Sequence, residues 1–365
     1  MPAGKCVAIT LQSAPLDGLT GQRLFQSETR IKPSILKMAE VSKSSVTQAT
    51  ITEDEQNQRL DNFLLKICKG VPKSHVYSIV RSGQVRVNSK RAEVSYRLQF
   101  GDVLRIPPIR IAQREEVVAG AELTVELPIL YEDDALLVVD KPAGIAVHGG
   151  SGVSFGVIEA LRRQRPQARF LELAHRLDRE TSGILLVGKK RSALVAMHDM
   201  FREGGLGGGR GADKRYLVLV KGRWMDPVRN VKLPLLKYLQ ESGERRVRVS
   251  DEGKTSHTVF RLLARWQHFS LLEAELKTGR THQIRVHLAH LGYPIAGDEK
   301  YGDFALNKAL PKEGLKRMFL HAWKMHFPHP INAETLALEA PLPEILLRFM
   351  QKISQREQQD YGEKI

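Results

Sequence analysis

The chain has 365 residues, 42% of them hydrophobic and 27% charged, which excludes wholesale disorder and collagen-like or coiled-coil fibres. Lys and Arg number 56 against 41 Asp and Glu, and this net charge of +15 indicates a polyanionic partner, most often nucleic acid, although membrane surfaces attract the same charge. No apolar run approaches the ~18 residues of a membrane span, the first residues lack the apolar core of a signal peptide, and two cysteines cannot build a disulfide framework. These properties predict a soluble, cytoplasmic protein that meets nucleic acid rather than a membrane.

The first residues differ in character from those that follow. Residues 1–57 are polar and lack a sustained helical or strand period, so we predict a flexible leader, with Met38 as a candidate for the true initiator. Residues 58–110 contain eleven Lys and Arg against three acidic residues. About half of the net charge therefore lies in this short stretch, which favours a binding surface over an ordinary solvated face.

Hydrophobic spacing predicts the secondary structure of this basic stretch. Apolar residues at helical intervals predict a first helix over residues 58–69, and a second helix runs from His75 to Arg81 with Ser74 as its N-cap. Alternating apolar residues between Val85 and Ile106, broken by a turn at residues 88–90, predict a small hairpin sheet. Two helices and a hairpin with basic side chains outside would form a compact nucleic-acid-binding domain.

The basic stretch resembles the small RNA-binding domain that a ribosomal small-subunit protein shares with several RNA-modifying enzymes. The matching residues are Arg59-Leu60-Asp61, Lys73-Ser74, Ile79-Val80-Arg81-Ser82-Gly83, Val85-Arg86-Val87-Asn88 and Gly101-Asp102. Such domains hold RNA mainly through phosphate contacts, which position a substrate without reading its sequence. From this domain we expect RNA contacts by Arg59, Lys73, Ser74, Arg81, Arg86 and Lys90.

A second domain is predicted over residues 129–350, after a linker at residues 111–128 and before a polar tail at residues 351–365. Its most informative run is His175-Arg176-Leu177-Asp178-Arg179-Glu180-Thr181-Ser182-Gly183, in which a short strand ends near Leu177 and another follows. Asp178 thus lies on a loop between strands with arginines on both sides, where nearby cations would keep a carboxylate ionised. The alternative is that Asp178 only anchors its own turn through backbone hydrogen bonds.

A second polar run, Lys277 to Leu288, enters a predicted helix at Gly279 and Thr281. Arg285 falls on the flank of the apolar face of this helix, where it could reach a carboxylate. Three histidines cluster here without the His-Glu-x-x-His pattern of a zinc site, so we expect no metal and interpret them as surface or RNA-facing residues. Arg280 and His282 are the RNA-contact candidates of this run.

Two further features lie between these runs. The glycine-rich residues 204–211 follow a helix-like segment, whereas dinucleotide and Walker loops follow a strand, so we predict an irregular insertion rather than a phosphate-binding loop. Tyr216 starts an evident strand. It is either a core residue or a stacking platform for an extruded base.

Taken together, Lys141-Pro142-Ala143-Gly144, the run from His175 to Gly183, Tyr216 and the run from Gly279 to His287 resemble the RluA-type pseudouridine synthases. Residues 148–152, 154–159 and 239–249 resemble one member in particular, which modifies uridines of bacterial large-subunit rRNA. The resemblance implies an α+β fold, in which the small RNA-binding domain precedes a mixed, mostly antiparallel catalytic sheet. It also implies that the chain, a monomer, isomerises specific uridines of large-subunit rRNA without metal or organic cofactor.

The resemblance also assigns roles to four residues. Asp178 would be the essential carboxylate, either attacking the anomeric carbon or removing a sugar proton, and Arg285 would keep it charged. Tyr216 would stack on the base, and Arg176 would hold the space left by the flipped nucleotide. The alternatives are a non-catalytic rRNA-binding assembly factor, in which the Asp178 turn is structural, and a glycosidase, which lacks a convincing second carboxylate.

Overall fold

A computed structural model describes residues 45–68, 71–109, 126–149, 155–203, 211–241 and 243–362. The first 44 residues of the predicted leader, most of the predicted linker and nearly all of the glycine-rich stretch lie outside these ranges. No helix among the described residues is long and apolar enough to cross a membrane.

The small basic domain contains two helices and a four-stranded antiparallel sheet. Its elements are β1 (Thr47–Thr50), α1 (Leu60–Ile67), α2 (Lys73–Arg81), β2 (Arg86–Val87), β3 (Lys90–Arg91) and β4 (Val103–Ile106). The sheet order is β1-β4-β2-β3. Both helices pack their apolar faces on this sheet around a core of their own, which includes Leu64, Ile79 and Leu104. The predicted helices and the hairpin turn are confirmed.

Three details of this domain differ from the predictions. Ordered structure begins before Gln58, because β1 pairs with β4 and Ile51 is buried; such a strand is held by backbone hydrogen bonds and needs no apolar repeat. Helix α2 begins at Lys73 with Pro72 as its N-cap, so Ser74 lies inside the first turn. Residues 94–98 form turns whose carbonyl groups accept hydrogen bonds from the start of α1, and not a strand.

The second domain is built on one large mixed sheet. The first six elements are β5 (Ile129–Glu132), β6 (Leu136–Lys141), α3 (Val157–Gln164), β7 (Glu172–Leu173), β8 (Ser182–Gly188) and α4 (Arg191–Glu203). The next six are β9 (Asp213–Lys221), β10 (Val228–Val231), β11 (Leu235–Leu239), β12 (Arg245–Val249), β13 (Thr258–Arg265) and β14 (Phe269–Leu276). The last are α5 (Gln283–His290), α6 (Phe304–Ala309), a 3-10 helix (Leu310–Glu313), β15 (Leu320–Pro328), β16 (Thr335–Glu339) and α7 (Glu344–Gly362).

Ten of these strands form the sheet in the order β10-β13-β14-β9-β15-β8-β6-β5, with β16 beside β15 and β7 beside β8. Among the described strands only β15 and β8 pair in parallel. Side chains alternate between two faces, as the strand period requires: Leu137 and Val139 pack with α3 and α5, whereas Leu136 and Val138 pack with α4. The predicted α+β class and mostly antiparallel sheet are confirmed.

The predicted polar tail is wrong over most of its length. Helix α7 continues to Gly362, and Ile353 is buried against the sheet together with other residues of its apolar face. The Trp266 indole donates to Ser354 at 3.0 Å, and Lys352 pairs with Glu313 at 2.9 Å. The polar composition reflects the solvent face of an amphipathic helix, whose thin apolar stripe is easily missed in the sequence.

Candidate active site

Asp178 lies on the loop between β7 and β8, as predicted, although β7 already ends at Leu173. The loop closes with a hydrogen bond from the Thr181 N–H to the Asp178 carbonyl at 3.1 Å. Gly183 follows with a φ of 107°, and a Cβ there would overlap the Ala322 carbonyl on β15. Glycine is therefore required where β8 turns in beside β15, and this close approach fixes the end of the loop.

The fully buried side chain of Lys141 supports the loop that carries Asp178. Lys141 Nζ donates to the carbonyls of Pro142, Ile145 and Arg179, at 2.7, 2.8 and 3.0 Å. All three protons of the ammonium group are thus used. The bond to Arg179 ties the residue after Asp178 to the turn that follows β6, which gives the Lys141-Pro142-Ala143-Gly144 motif a structural role.

Buried polar groups hold the far side of the loop. Arg317 Nη2 donates to Ser182 Oγ at 2.8 Å and to the Glu180 carbonyl at 3.4 Å. Ser182 Oγ lies 2.8 Å from His321 Nδ1, whose Nε2 lies 3.2 Å from the Ala340 carbonyl. Burial lowers the pKa of His321 to about 4. Its neutral ring can therefore accept from Ser182 and donate to Ala340.

The predicted partner of Asp178 is in place. Arg285, on α5, donates from Nη1 to Asp178 Oδ2 at 3.0 Å. Its Nε and Nη2 donate to Asp298 at 2.8 and 2.7 Å, in a bidentate pair. The Asp298 side chain is only 1% exposed, against 21% for Asp178, so the two carboxylates have different environments. Asp298 is committed to orienting Arg285, whereas Asp178 remains partly exposed to the cleft.

Electrostatics at this ion-pair centre follow from the same contacts. Burial alone would raise the pKa of Asp298, but the hydrogen bonds and charge of Arg285 and the N–H groups of Tyr301 and Lys300 lower it below 3.8. Burial works against the charge of Arg285, yet Asp298 and Asp178 outweigh it and raise the pKa of the guanidinium. Both members of the buried pair are therefore fully charged at neutral pH.

His282 occupies the other side of Asp178. Its Nε2 lies 3.7 Å from Asp178 Oδ1, and its Nδ1 lies 2.8 Å from the Tyr301 hydroxyl, which accepts from the Val247 N–H at 3.0 Å. Its backbone adopts the left-handed conformation, with φ of 54°. Burial lowers the pKa of His282, while the charge of Asp178 opposes this effect. A neutral ring that accepts from Tyr301 would direct its Nε2 proton at Asp178.

Tyr216 lies on β9, inside the strand rather than at its start, and lines the same cleft as Asp178. Its neighbours on β14 and β15 are Ala274 and Ala322, and all three residues belong to one buried core cluster. Burial raises the pKa of the Tyr216 hydroxyl, and the charge of Asp178 raises it further. The phenol thus stays neutral, and its position beside the carboxylate fits a base platform as well as a core residue.

The predicted RNA-contact residues fall into two groups. Arg176, Arg280 and His282 line the cleft of about 960 Å³ that contains Asp178. The second group lies on the small domain. There Lys73, Ser74, Arg81, Arg86 and Lys90 are exposed, while Arg59 is half-buried and paired with Asp61 at 2.9 Å. None of this second group lines the cleft.

The histidines of α5 and its N-cap have different surroundings. The part of the chain that the structure describes contains no group of three His, Cys, Asp or Glu side chains placed to hold a metal ion. His287 is fully buried and lies 2.9 Å from Ser256 Oγ and 3.0 Å from Thr258 Oγ1, so its prediction as a surface residue is wrong. It joins α5 to the start of β13.

Sequence reasoning missed four residues of this site: Lys141, Asp298, Tyr301 and Arg317. Lys141 was seen only as part of a motif, and the others lie on loops without a recognisable pattern. A weak signal exists for Asp298, which follows the apolar pair Ile295-Ala296 and a glycine in a turn. An acid beside buried residues needs a cationic partner, but nothing local identifies Arg285.

Comparison with known proteins adds to this geometry. The family model described as RNA pseudouridylate synthase matches residues 135–290, and the S4 domain model matches residues 58–104. The Escherichia coli K12 protein named ribosomal large subunit pseudouridine synthase C is 52% identical over 315 residues, covering 85% of this chain and 97% of its own length. The chain belongs to the pseudouridine synthase family.

Other members of the family agree. A Yersinia pestis protein with the same name is 54% identical over 297 residues, covering 80% of this chain and 91% of its own. The solved structure of human RNA pseudouridylate synthase domain containing 4 has a TM-score of 0.50 and 25% identity, covering 62% of this chain and 92% of its own. As a member of this family the protein is an isomerase, and it carries an RNA-binding S4 domain. The glycosidase alternative is therefore wrong.

Proposed function

We propose that this enzyme converts uridines of large-subunit rRNA to pseudouridine, with Asp178 as the essential carboxylate. The observation that carries the proposal is the Asp178–Arg285 ion pair at 3.0 Å, in the cleft that Tyr216 also lines; Asp178 is the one acid among the described residues that line this cleft. The printed names of the bacterial relatives support large-subunit rRNA as the substrate. We further propose that the enzyme acts as a cytoplasmic monomer.

The reaction needs no cofactor because it is an isomerisation. The bond between the anomeric carbon and nitrogen 1 breaks, the base turns, and a bond forms between the same carbon and carbon 5. Carbon 5 loses its proton and nitrogen 1 gains one, so atoms and electrons balance. Asp178 either attacks the anomeric carbon or removes a proton from the sugar, and both roles require the ionised form.

The neighbours of Asp178 have distinct tasks in this proposal. Arg285 binds one oxygen of the carboxylate and orients it, and Tyr216 supports the base once it is extruded. Arg176 is exposed at the cleft and fills the space in the RNA that the base leaves. Extrusion costs a few kcal/mol, least at an unpaired site. Phosphate contacts of the S4 domain, with Arg280 and His282 at the cleft, help to offset this cost.

The substrate is tested with RNA that lacks modification. Unmodified large-subunit and small-subunit rRNA transcripts are incubated with the purified enzyme, and pseudouridine is mapped in both. We expect pseudouridine at a few positions of the large-subunit transcript and none in the small-subunit transcript. The same positions should remain uridine in rRNA from a strain that lacks the gene. Absence of pseudouridine from both transcripts and an unchanged map in that strain would contradict the proposal.

A further inference from the structure

One face of helix α4 lines the active-site cleft. Arg191, Val195, His198 and Arg202 all border it, and their spacing of four, three and four residues places them on one side of the helix. From Arg191 to Arg202 the row extends for about 16 Å, at about 1.5 Å per residue. This row begins near the loop of Asp178 in sequence but is not used by the chemistry described above.

Two cationic side chains that line the cleft, Arg191 and Lys214, have no anionic partner among the described residues. Arg191 forms no ion pair there, and its Nε atom is buried without a hydrogen-bond partner. Lys214, on β9, lies with Nζ 5.0 Å from the ring centre of Phe201. Burial lowers the pKa of Lys214, and no acid offsets that effect. A desolvated cation without a counter-ion costs free energy, so both side chains are available to a bound anion.

The charge of the residues that line the cleft also indicates an anionic ligand. The described residues that line it include seven Lys or Arg and one acid, Asp178, which is already paired with Arg285. One of the seven, Arg97, belongs to the S4 domain. A small anion would occupy only one end of the α4 row, whereas a nucleic-acid strand presents a phosphate at each nucleotide and can follow the row along its length.

We propose that Arg191 and Lys214 bind phosphates of the substrate strand on either side of the extruded uridine, so that α4 guides the strand across the cleft. The inference deepens the proposed function and rests on it, because the strand is the one whose uridine meets Asp178. Both residues act on binding and not on the reacting atoms. Their loss should therefore raise KM and leave kcat unchanged.

Binding of a fluorescent 12-nucleotide single-stranded oligouridylate, measured against salt concentration, isolates these contacts. Each phosphate contact contributes about 0.7 to the slope of log K against log salt for a single strand, which is about fourfold in affinity at 0.15 M salt. We expect Arg191→Gln and Lys214→Met each to lower the slope by about 0.7. Arg191→Lys should restore it. Lys190→Gln removes an exposed charge next to Arg191 that does not line the cleft, and should leave the slope unchanged.

Two outcomes would overturn the inference: unchanged slopes in Arg191→Gln and Lys214→Met, or an equal loss in Lys190→Gln. Thermal unfolding of each variant shows whether it is folded. If Lys214→Met does not fold, the salt slope of Arg191→Gln alone tests the inference. A failure of the proposed function looks different. The wild-type enzyme would then form no pseudouridine in rRNA, while the oligouridylate slopes would still report whether α4 holds a strand.

Discussion

Arg285 donates two hydrogen bonds to Asp298, at 2.8 and 2.7 Å, while its remaining nitrogen holds Asp178. The buried acid therefore sets the plane of the guanidinium and, through it, the position of the carboxylate in the cleft. Neutralising Asp298 should release this constraint without touching substrate. This relationship makes Asp298 a positioning residue. Its variants test whether the orientation of Arg285 controls the position of Asp178.

Asp298→Asn should lower kcat by about a hundredfold, since a shift of about 1 Å in a reacting group costs that much. The dissociation constant for rRNA should stay unchanged, because the buried side chain of Asp298 is not accessible to an RNA strand. Single-turnover rates and filter binding separate these two quantities. Glu299→Gln removes an exposed acid at the next position and serves as the control. Loss of binding with normal turnover would contradict the positioning role.

The same pair should give Asp298 a pH signature in stability. Its pKa is lower in the folded enzyme than the 3.8 of an unperturbed carboxyl, so its contribution is present above that value and is lost as pH falls through the folded pKa. At pH 7, Asp298→Asn should reduce the free energy of unfolding by about 3 kcal/mol, as expected for a broken buried pair. Below pH 4 the difference from wild type should shrink. A difference that stays constant down to pH 2 would show that the ion pair contributes nothing.

Removal of residues 1–110 should weaken binding to large-subunit rRNA and flatten its salt dependence, because the phosphate contacts of the S4 domain are lost. The catalytic domain should remain folded, since its core clusters are made of its own strands and helices. Binding titrations at several salt concentrations and thermal unfolding check both statements. An unchanged salt slope would mean that the S4 domain is not an RNA anchor.

The beginning of the S4 domain can be tested by two deletions. Without residues 1–44 the enzyme should keep its stability and activity, because every described strand is retained. Without residues 1–57 the S4 domain should lose stability, because β1 no longer pairs with β4 and Ile51 leaves the core. Removing one fully buried aliphatic side chain costs about 2–5 kcal/mol. Equal unfolding curves for the two deletions would contradict the role of β1.

Local patterns predicted the parts of the structure that depend on neighbours in sequence. The apolar repeats of α1 and α2, the hairpin turn at Asn88 and the loop of Asp178 follow from short-range spacing and turn residues. The pairing of Asp178 with Arg285 was expected only through the family resemblance. These two residues are 107 positions apart, so no local signal connects them.

The features that the sequence did not predict also depend on contacts between residues that are far apart in the chain. β1 consists of three polar residues and Ala49, and it is a strand because it pairs with the distant strand β4. Helix α7 keeps a single thin apolar stripe that packs on residues near Trp266. Asp298 and Arg317 act through contacts made in three dimensions. Such residues become visible only when the chain is folded.

The central claim is that the ionised carboxylate of Asp178 performs the isomerisation. Asp178→Asn keeps the shape of the side chain and removes the charge that the reaction uses. Pseudouridine formation in an unmodified large-subunit rRNA transcript should fall below detection, while thermal unfolding and rRNA binding stay close to wild type. Turnover by the Asp178→Asn enzyme within tenfold of the wild-type rate would contradict the claim.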